Sequence, residues 1–145
     1  MLRLDEFLPY QLSVTSNAVS SAIARTYEVL FGLRVPEWRL IAVLAEQEGV
    51  TQQALVARTE MDKMTVSRAA QALVTRGLVT RVPHGRDKRS HTLALSEDGR
   101  ALYAQIAPKA LELERKIFSS FKPAELQALK DMLLRIDAAA LRFSR

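Results

Sequence analysis

Five glycines and five prolines punctuate this chain of 145 residues, and their places leave few folds open. Proline suits the first turn of a helix and glycine the position just past its end. On that rule a first helix starts at Pro9 and runs to about Phe31, with Gly32 as the stop. Leu12, Val19, Ile23 and Leu30 give it an apolar stripe at helical spacing. Pro36 opens a second helix, "PEWRLIAVLAEQEG", with Glu37 in its first turn and Gly49 at its close. Thr51 caps a short helix, "TQQALVART". After a tight turn at "TEM", Asp62 caps the next helix, which runs to Arg76 and ends at Gly77. Val66, Ala69, Ala70, Leu73 and Val74 form its buried face.

The period then changes. "LVTRVPHGRDKRSHTLAL" is rich in β-branched residues around a central turn cluster, which predicts a hairpin with strands near 78–83 and 89–95. Ser96 caps a long helix from Glu97 to about Phe121, and Pro108 inside it predicts a kink or break near Ala107. Pro123 starts the last helix, whose stripe is Leu126, Leu129, Leu133, Ile136 and Ala140. The expected fold is mainly α with a β-hairpin wing. It is a winged helix-turn-helix with N- and C-terminal helices whose stripes need a partner, each other and a second copy of the chain. The length suits one domain, 1–145, holding the winged helix-turn-helix lobe at 34–96 and flanking helices at 1–33 and 97–145 that would pair with a second copy.

Charge points the same way. Between Arg58 and Arg89 stand eight basic residues, Arg58, Lys63, Arg68, Arg76, Arg81, Arg86, Lys88 and Arg89, against Glu60, Asp62 and Asp87. That net of +5 equals the formal net charge of the whole chain. A basic chain, here with a pI near 9.9, suits an anionic partner. Lys63, Thr65, Ser67, Arg68 and Gln71 fall on the outward or lateral faces of the helix after Asp62, near its N-terminal half. A recognition helix reads the major groove from that half. Arg pairs bidentately with guanine and Gln with adenine, and hydroxyls suit phosphate or base edges. Solvated helix faces usually mix signs, whereas this one carries almost no acid after Asp62. At the wing tip, "PHGRDKRS" sets Arg86, Lys88 and Arg89 around Asp87, where cations reach a narrow minor groove. Alone, such a tip reads as charged for solubility; behind that helix it reads as a DNA contact, with Asp87 holding an Arg by an ion pair.

These residues resemble a known family. "DKMTVSRAAQALVTRGLVTRVPHGRDKRSHTLALSEDGRALY" is similar to the winged helix-turn-helix of the MarR family of bacterial transcription regulators. The matching parts are the helix ending in "RGLV", the wing Asp87-Lys88-Arg89, and the exit Leu93, Leu95, Ser96 and Gly99. The likeness extends over about residues 10–143. It implies a homodimer on a palindromic operator, usually a repressor released by a small molecule. Arg68 and its neighbours would read the major groove, and Arg89, with Arg86 or Lys88, would enter the minor groove. Two residues depart from the pattern: Glu60 where many relatives have Gly in the turn, and Lys122 where a capping Ser is common before "PAEL".

A signal is narrowed by what is missing. The chain has no cysteine, so thiol sensing, disulfides and cysteine-ligated metals are excluded. His84 and His91 lie on the hairpin with no carboxylate cluster beside them and read as wing residues; no metal or cofactor is expected. A small organic effector remains. No charged residue stands between Glu6 and Arg25, and Ser13, Ser16, Asn17 and Ser20 share one helical face there. Small neutral polar groups suit a pocket wall and equally a close helix–helix contact at the dimer interface. Trp38 can stack on an aromatic ring, or belong to the core, and Arg39 can pair with a carboxylate. "LPYQLSVTSNAVSSAIARTYEVLFGLRVPEWR" is similar to regulators that answer to aromatic acids or their CoA thioesters, which makes an aromatic carboxylate or its thioester the expected effector.

Other classes fit less well. No nucleophile, phosphate loop or triad frame points to an enzyme. A winged-helix module that binds only protein has no need of +5 on one helix and hairpin. A membrane-surface role calls for a basic amphipathic helix with large apolar groups opposite, whereas the basic cluster here is split between a helix and a hairpin. No N-terminal apolar run or membrane-length stretch is found, so a cytoplasmic protein is expected.

Overall fold

The computed structural model describes residues 1–83 and 91–144. After a 3₁₀ turn at Leu4–Glu6, α1 runs over Leu8–Phe31 with Pro9 in its first turn. Gly32 stops it in the left-handed region, at φ 62, where a Cβ is disfavoured. α2 spans Val35–Glu46, and the Arg34 amide ahead of it donates to Glu37 Oε1 at 2.9 Å. It ends three residues short of Gly49, which instead turns the chain at φ 67 into β1, Val50–Thr51. α3 follows at Gln52–Thr59, and Thr51 Oγ1 accepts from the Ala54 amide at 3.1 Å, the expected cap. α4 covers Lys63–Thr75 behind Asp62.

The hairpin consists of β2, Val79–Pro83, and β3, His91–Leu95. β3 lies between β1 and β2, antiparallel to both, with Val50 opposite Leu93 and Val79 opposite Leu95. The two-residue β1 is an addition to the sequence reading, because two residues are too few to show an alternating pattern. α5 occupies Glu97–Ile117 and α6 Pro123–Phe143.

Two expectations need correction. Of the kink or break expected near Ala107, the break does not occur: α5 runs as one helix through Pro108. Proline removes the bond to the carbonyl four residues back, and the residue that bears it, Ala104, is exposed. The helix also stops at Ile117 rather than Phe121, in a turn where the Phe118 and Phe121 rings meet at 6.0 Å. Glu60 makes the turn that follows α3. It adopts the left-handed conformation itself, φ 57, at a cost of about 1 kcal/mol. At the head of α6, the Lys122 amide donates to Glu125 Oε1 at 2.9 Å, so the turn is closed without a capping Ser.

The chain forms two compact units, Met1–Leu111 and Glu112–Arg145. In the first, Leu40, Ile41 and Leu44 of α2 are buried with Leu55 of α3, Val66, Ala70 and Leu73 of α4, Leu93 of β3 and Ile106 of α5. A node ties α5 to the end of α4. Ser96 Oγ donates to the Gly77 carbonyl at 2.6 Å, the Ser96 amide donates to the Leu78 carbonyl at 3.0 Å, and the Gly99 amide donates to Ser96 Oγ at 3.0 Å. Gly99 is pressed so close that a Cβ there would lie 2.1 Å from the Leu78 carbonyl oxygen. In the second unit Leu126 and Leu129 are half-buried, while Met132, Leu133, Ile136 and Leu141 are exposed. Leu8, Tyr10, Leu12 and Val14 of α1 are exposed as well. Among the described residues no helix is long and apolar enough to cross a membrane.

Candidate nucleic-acid interface

The outward face of α4 is set by its buried one. Val66, Ala69, Ala70 and Leu73 recur at helical spacing and face the core, which leaves Lys63, Met64, Ser67, Arg68 and Gln71 exposed and Thr65 half-buried. Asp62 fixes where the helix begins. Its Oδ1 accepts from the Thr65 amide at 2.8 Å and its Oδ2 from the Thr65 hydroxyl at 2.7 Å. The Thr65 bonds, side chain first, hold its carboxyl below the usual carboxylate range. After that acid the helix carries only cationic and neutral side chains.

The residues singled out in the sequence are thus partly committed. The Thr65 hydroxyl donates to Asp62, and Gln71 Nε2 donates to Thr75 Oγ1 at 3.3 Å. Arg58 pairs with Glu46 of α2, an acid outside the basic segment, so its charge is offset locally. Arg81 Nη2 of β2 reaches Gln52 Oε1 of α3 at 3.5 Å. Arg86, Asp87, Lys88 and Arg89, together with His84, lie outside the described residues. His91 is exposed on β3, and no cluster of three His, Cys, Asp or Glu able to hold a metal occurs among the described residues. Met64 is a further residue on this face that the sequence alone does not single out. It is 61% exposed at the start of α4, and its signal was its place off the 66–69–70–73 stripe. Apolar side chains at such a place contact thymine methyls.

The residues expected to meet an effector lie elsewhere. Ser13, Ser16 and Asn17 of α1 are exposed, Ser20 is half-buried and Arg39 is exposed. Trp38 is half-buried in an aromatic cluster that joins α1, α2 and α5. Its ring lies 5.2 Å from Tyr27, tilted by 60°, and 6.1 Å from Tyr103, nearly parallel at 14°. Burial pushes the Tyr27 hydroxyl pKa up. Neither tyrosine was found from sequence, since nothing in their spacing says they meet Trp38. A separate cleft of about 660 Å³ opens between the start of α2 and α4, lined by Arg34, Glu37, Thr65, Arg68 and Arg76 among others; Trp38, Arg39 and the Ser/Asn face do not line it.

A helix-turn-helix followed by an antiparallel hairpin, with an acid-free outer face on its second helix, defines a winged-helix DNA-binding protein. The model of the MarR family matches residues 31–90. An uncharacterized protein of Mycobacterium tuberculosis is 32% identical over 103 residues, 70% of this chain and 71% of that one. The homoprotocatechuate degradative operon repressor of Escherichia coli is 26% identical over 97 residues, 67% of this chain and 66% of that one. The crystal structure of a MarR/EmrR family transcriptional regulator from Acinetobacter sp. ADP1 superposes with a TM-score of 0.89 at 26% identity, covering 97% of this chain and 99% of that chain. The chain belongs to the MarR family. It is a DNA-binding transcriptional regulator of the winged helix-turn-helix type.

Proposed function

We propose that this protein is a homodimeric repressor that binds a palindromic operator and is released by an aromatic carboxylate or its CoA thioester. The observation that carries the DNA half is the exposed face of α4, cationic and neutral throughout behind one capping acid. Lys63, Ser67, Arg68 and Gln71 read the major groove, Thr65 lies at its edge, and Arg86, Lys88 and Arg89, with Asp87 as ion-pair partner, enter the minor groove. The division of labour is a DNA-binding lobe at 34–96 and dimerisation helices at 1–33 and 97–145. The apolar residues exposed on α1 and α6 support a second copy as their cover.

The effector reading rests on a charge-free stretch of α1 and on Trp38 beside an exposed Arg39. Arg39 pairs with the carboxylate, the half-buried Trp38, packed on Tyr27 and Tyr103, supplies the aromatic contact, and Ser13, Ser16, Asn17 and Ser20 supply neutral polar groups. That the Escherichia coli relative is named for a homoprotocatechuate degradative operon favours an aromatic acid. Titration calorimetry against benzoates, cinnamates and their CoA thioesters tests it, with an operator-release assay on every compound that gives heat. At least one should bind and weaken operator binding tenfold or more, and Arg39→Ala should abolish the response. No heat and no release for the whole panel would remove aromatic carboxylates from the account.

A further inference from the structure

α1 and α4 end at one place. Past the last turn of α1, the amides of Gly32 and Leu33 turn back to the Glu28 and Tyr27 carbonyls. Further on, the Phe31 and Gly32 carbonyls are met by a side chain. Arg76, which closes α4, donates from Nη1 to the Gly32 carbonyl at 3.1 Å and from Nη2 to the Phe31 carbonyl at 3.3 Å. These partners stand 44 and 45 residues away in the chain. Helix C-termini carry partial negative charge, and here one cation sits where two of them meet. A planar fork on consecutive carbonyls fixes direction as well as distance, which a lysine ammonium would not. Arg76 lies eight residues beyond Arg68, about 12 Å along the helix axis from the half that faces DNA.

We propose that Arg76 is a positioning residue for DNA recognition: its two bonds to the end of α1 set the angle at which α4 is presented. The inference rests on the docking reading above. α4 packs against α2, α3 and β2, which hold it within its own lobe. Arg76 adds the direct hydrogen-bonded link to α1, the helix assigned to dimerisation. Two half-sites are read in one register only if each recognition helix keeps a fixed place on the frame that joins the protomers. Arg76 supplies that constraint without touching the duplex.

The test compares Arg76→Met and Arg76→Lys with the unaltered protein. The probes are the palindromic duplex recovered by selection, the same duplex with one and two base pairs added between half-sites, and a random duplex of equal length. Circular dichroism and urea midpoints establish that the variants fold; Arg76→Lys, which keeps the charge, reports if Arg76→Met does not. Discrimination against the lengthened duplexes should fall at least fivefold in Arg76→Met and partly in Arg76→Lys. Random-duplex affinity should stay within twofold in Arg76→Lys, with an unchanged salt slope. Two results overturn the proposal. Equal loss on every duplex, with a salt slope smaller by about 0.9, makes Arg76 a phosphate contact. An unchanged spacing preference in both variants makes its bonds purely structural. Unaltered protein that prefers no duplex overturns the docking reading, and this inference with it.

Discussion

Arg68→Ala should weaken binding to the preferred operator by roughly 5- to 150-fold per half-site, the equivalent of about 1–3 kcal/mol for a lost bidentate base contact. Arg68 is exposed on the outer face of α4, one helical turn from Met64 and beside Ser67, with no acid on the helix to hold it back. Random duplex should lose much less, because a phosphate-directed charge is one of several. Fluorescence anisotropy on both duplexes at equal salt measures the difference. Equal losses on the two would make Arg68 a backbone contact, and no loss on either would take it out of the interface.

The second large effect is on stability. Gly99→Ala places a methyl group 2.1 Å from the Leu78 carbonyl oxygen, with the Leu78 carbonyl carbon at 3.1 Å and the Leu95 side chain at 3.2 Å. The nearest obstacle is backbone, which cannot rotate away. The Ser96 hydroxyl and amide pin the same segment to Gly77 and Leu78, so relief means pulling α5 from the end of α4 and the start of β2. Overpacking of this kind costs about 1–3 kcal/mol, and a backbone obstacle sets the expectation at the upper end or above. The urea midpoint should fall with little change in slope. A midpoint equal to that of the unaltered protein would mean that the first turn of α5 moves freely, and that the glycine is not required by packing.

How much of this was legible in the sequence follows from the range of each interaction. The start of α4 was readable because Asp62 and Thr65 are three residues apart, and the hairpin because its residue types change abruptly. α3 was readable from Thr51. The end of α2 was not, because Gly49 serves the turn into β1 rather than the helix cap. Partnerships across the chain were hidden. Nothing near Arg58 announces Glu46, nothing near Trp38 announces Tyr103, and nothing near Arg76 announces the end of α1. The charge count therefore overstated what is available to a duplex, since Arg58 is paired and Arg76 is committed to carbonyls. What survives is a smaller set, Lys63 and Arg68 at the first turns of α4 and Arg81, Arg86, Lys88 and Arg89 beyond it in the chain. The residues proposed to face DNA are local in sequence and could be named from it; the partners of Arg58, Trp38 and Arg76 are tertiary and could not.

Selection of bound duplexes from a random pool, at about 0.15 M salt where exposed charges are screened beyond about 8 Å, tests the central claim most directly. The account predicts recovery of a palindrome with half-sites about one helical turn, roughly 10 base pairs, apart. Recovery of no consensus would contradict it, leaving only sequence-independent charge attraction to the basic face.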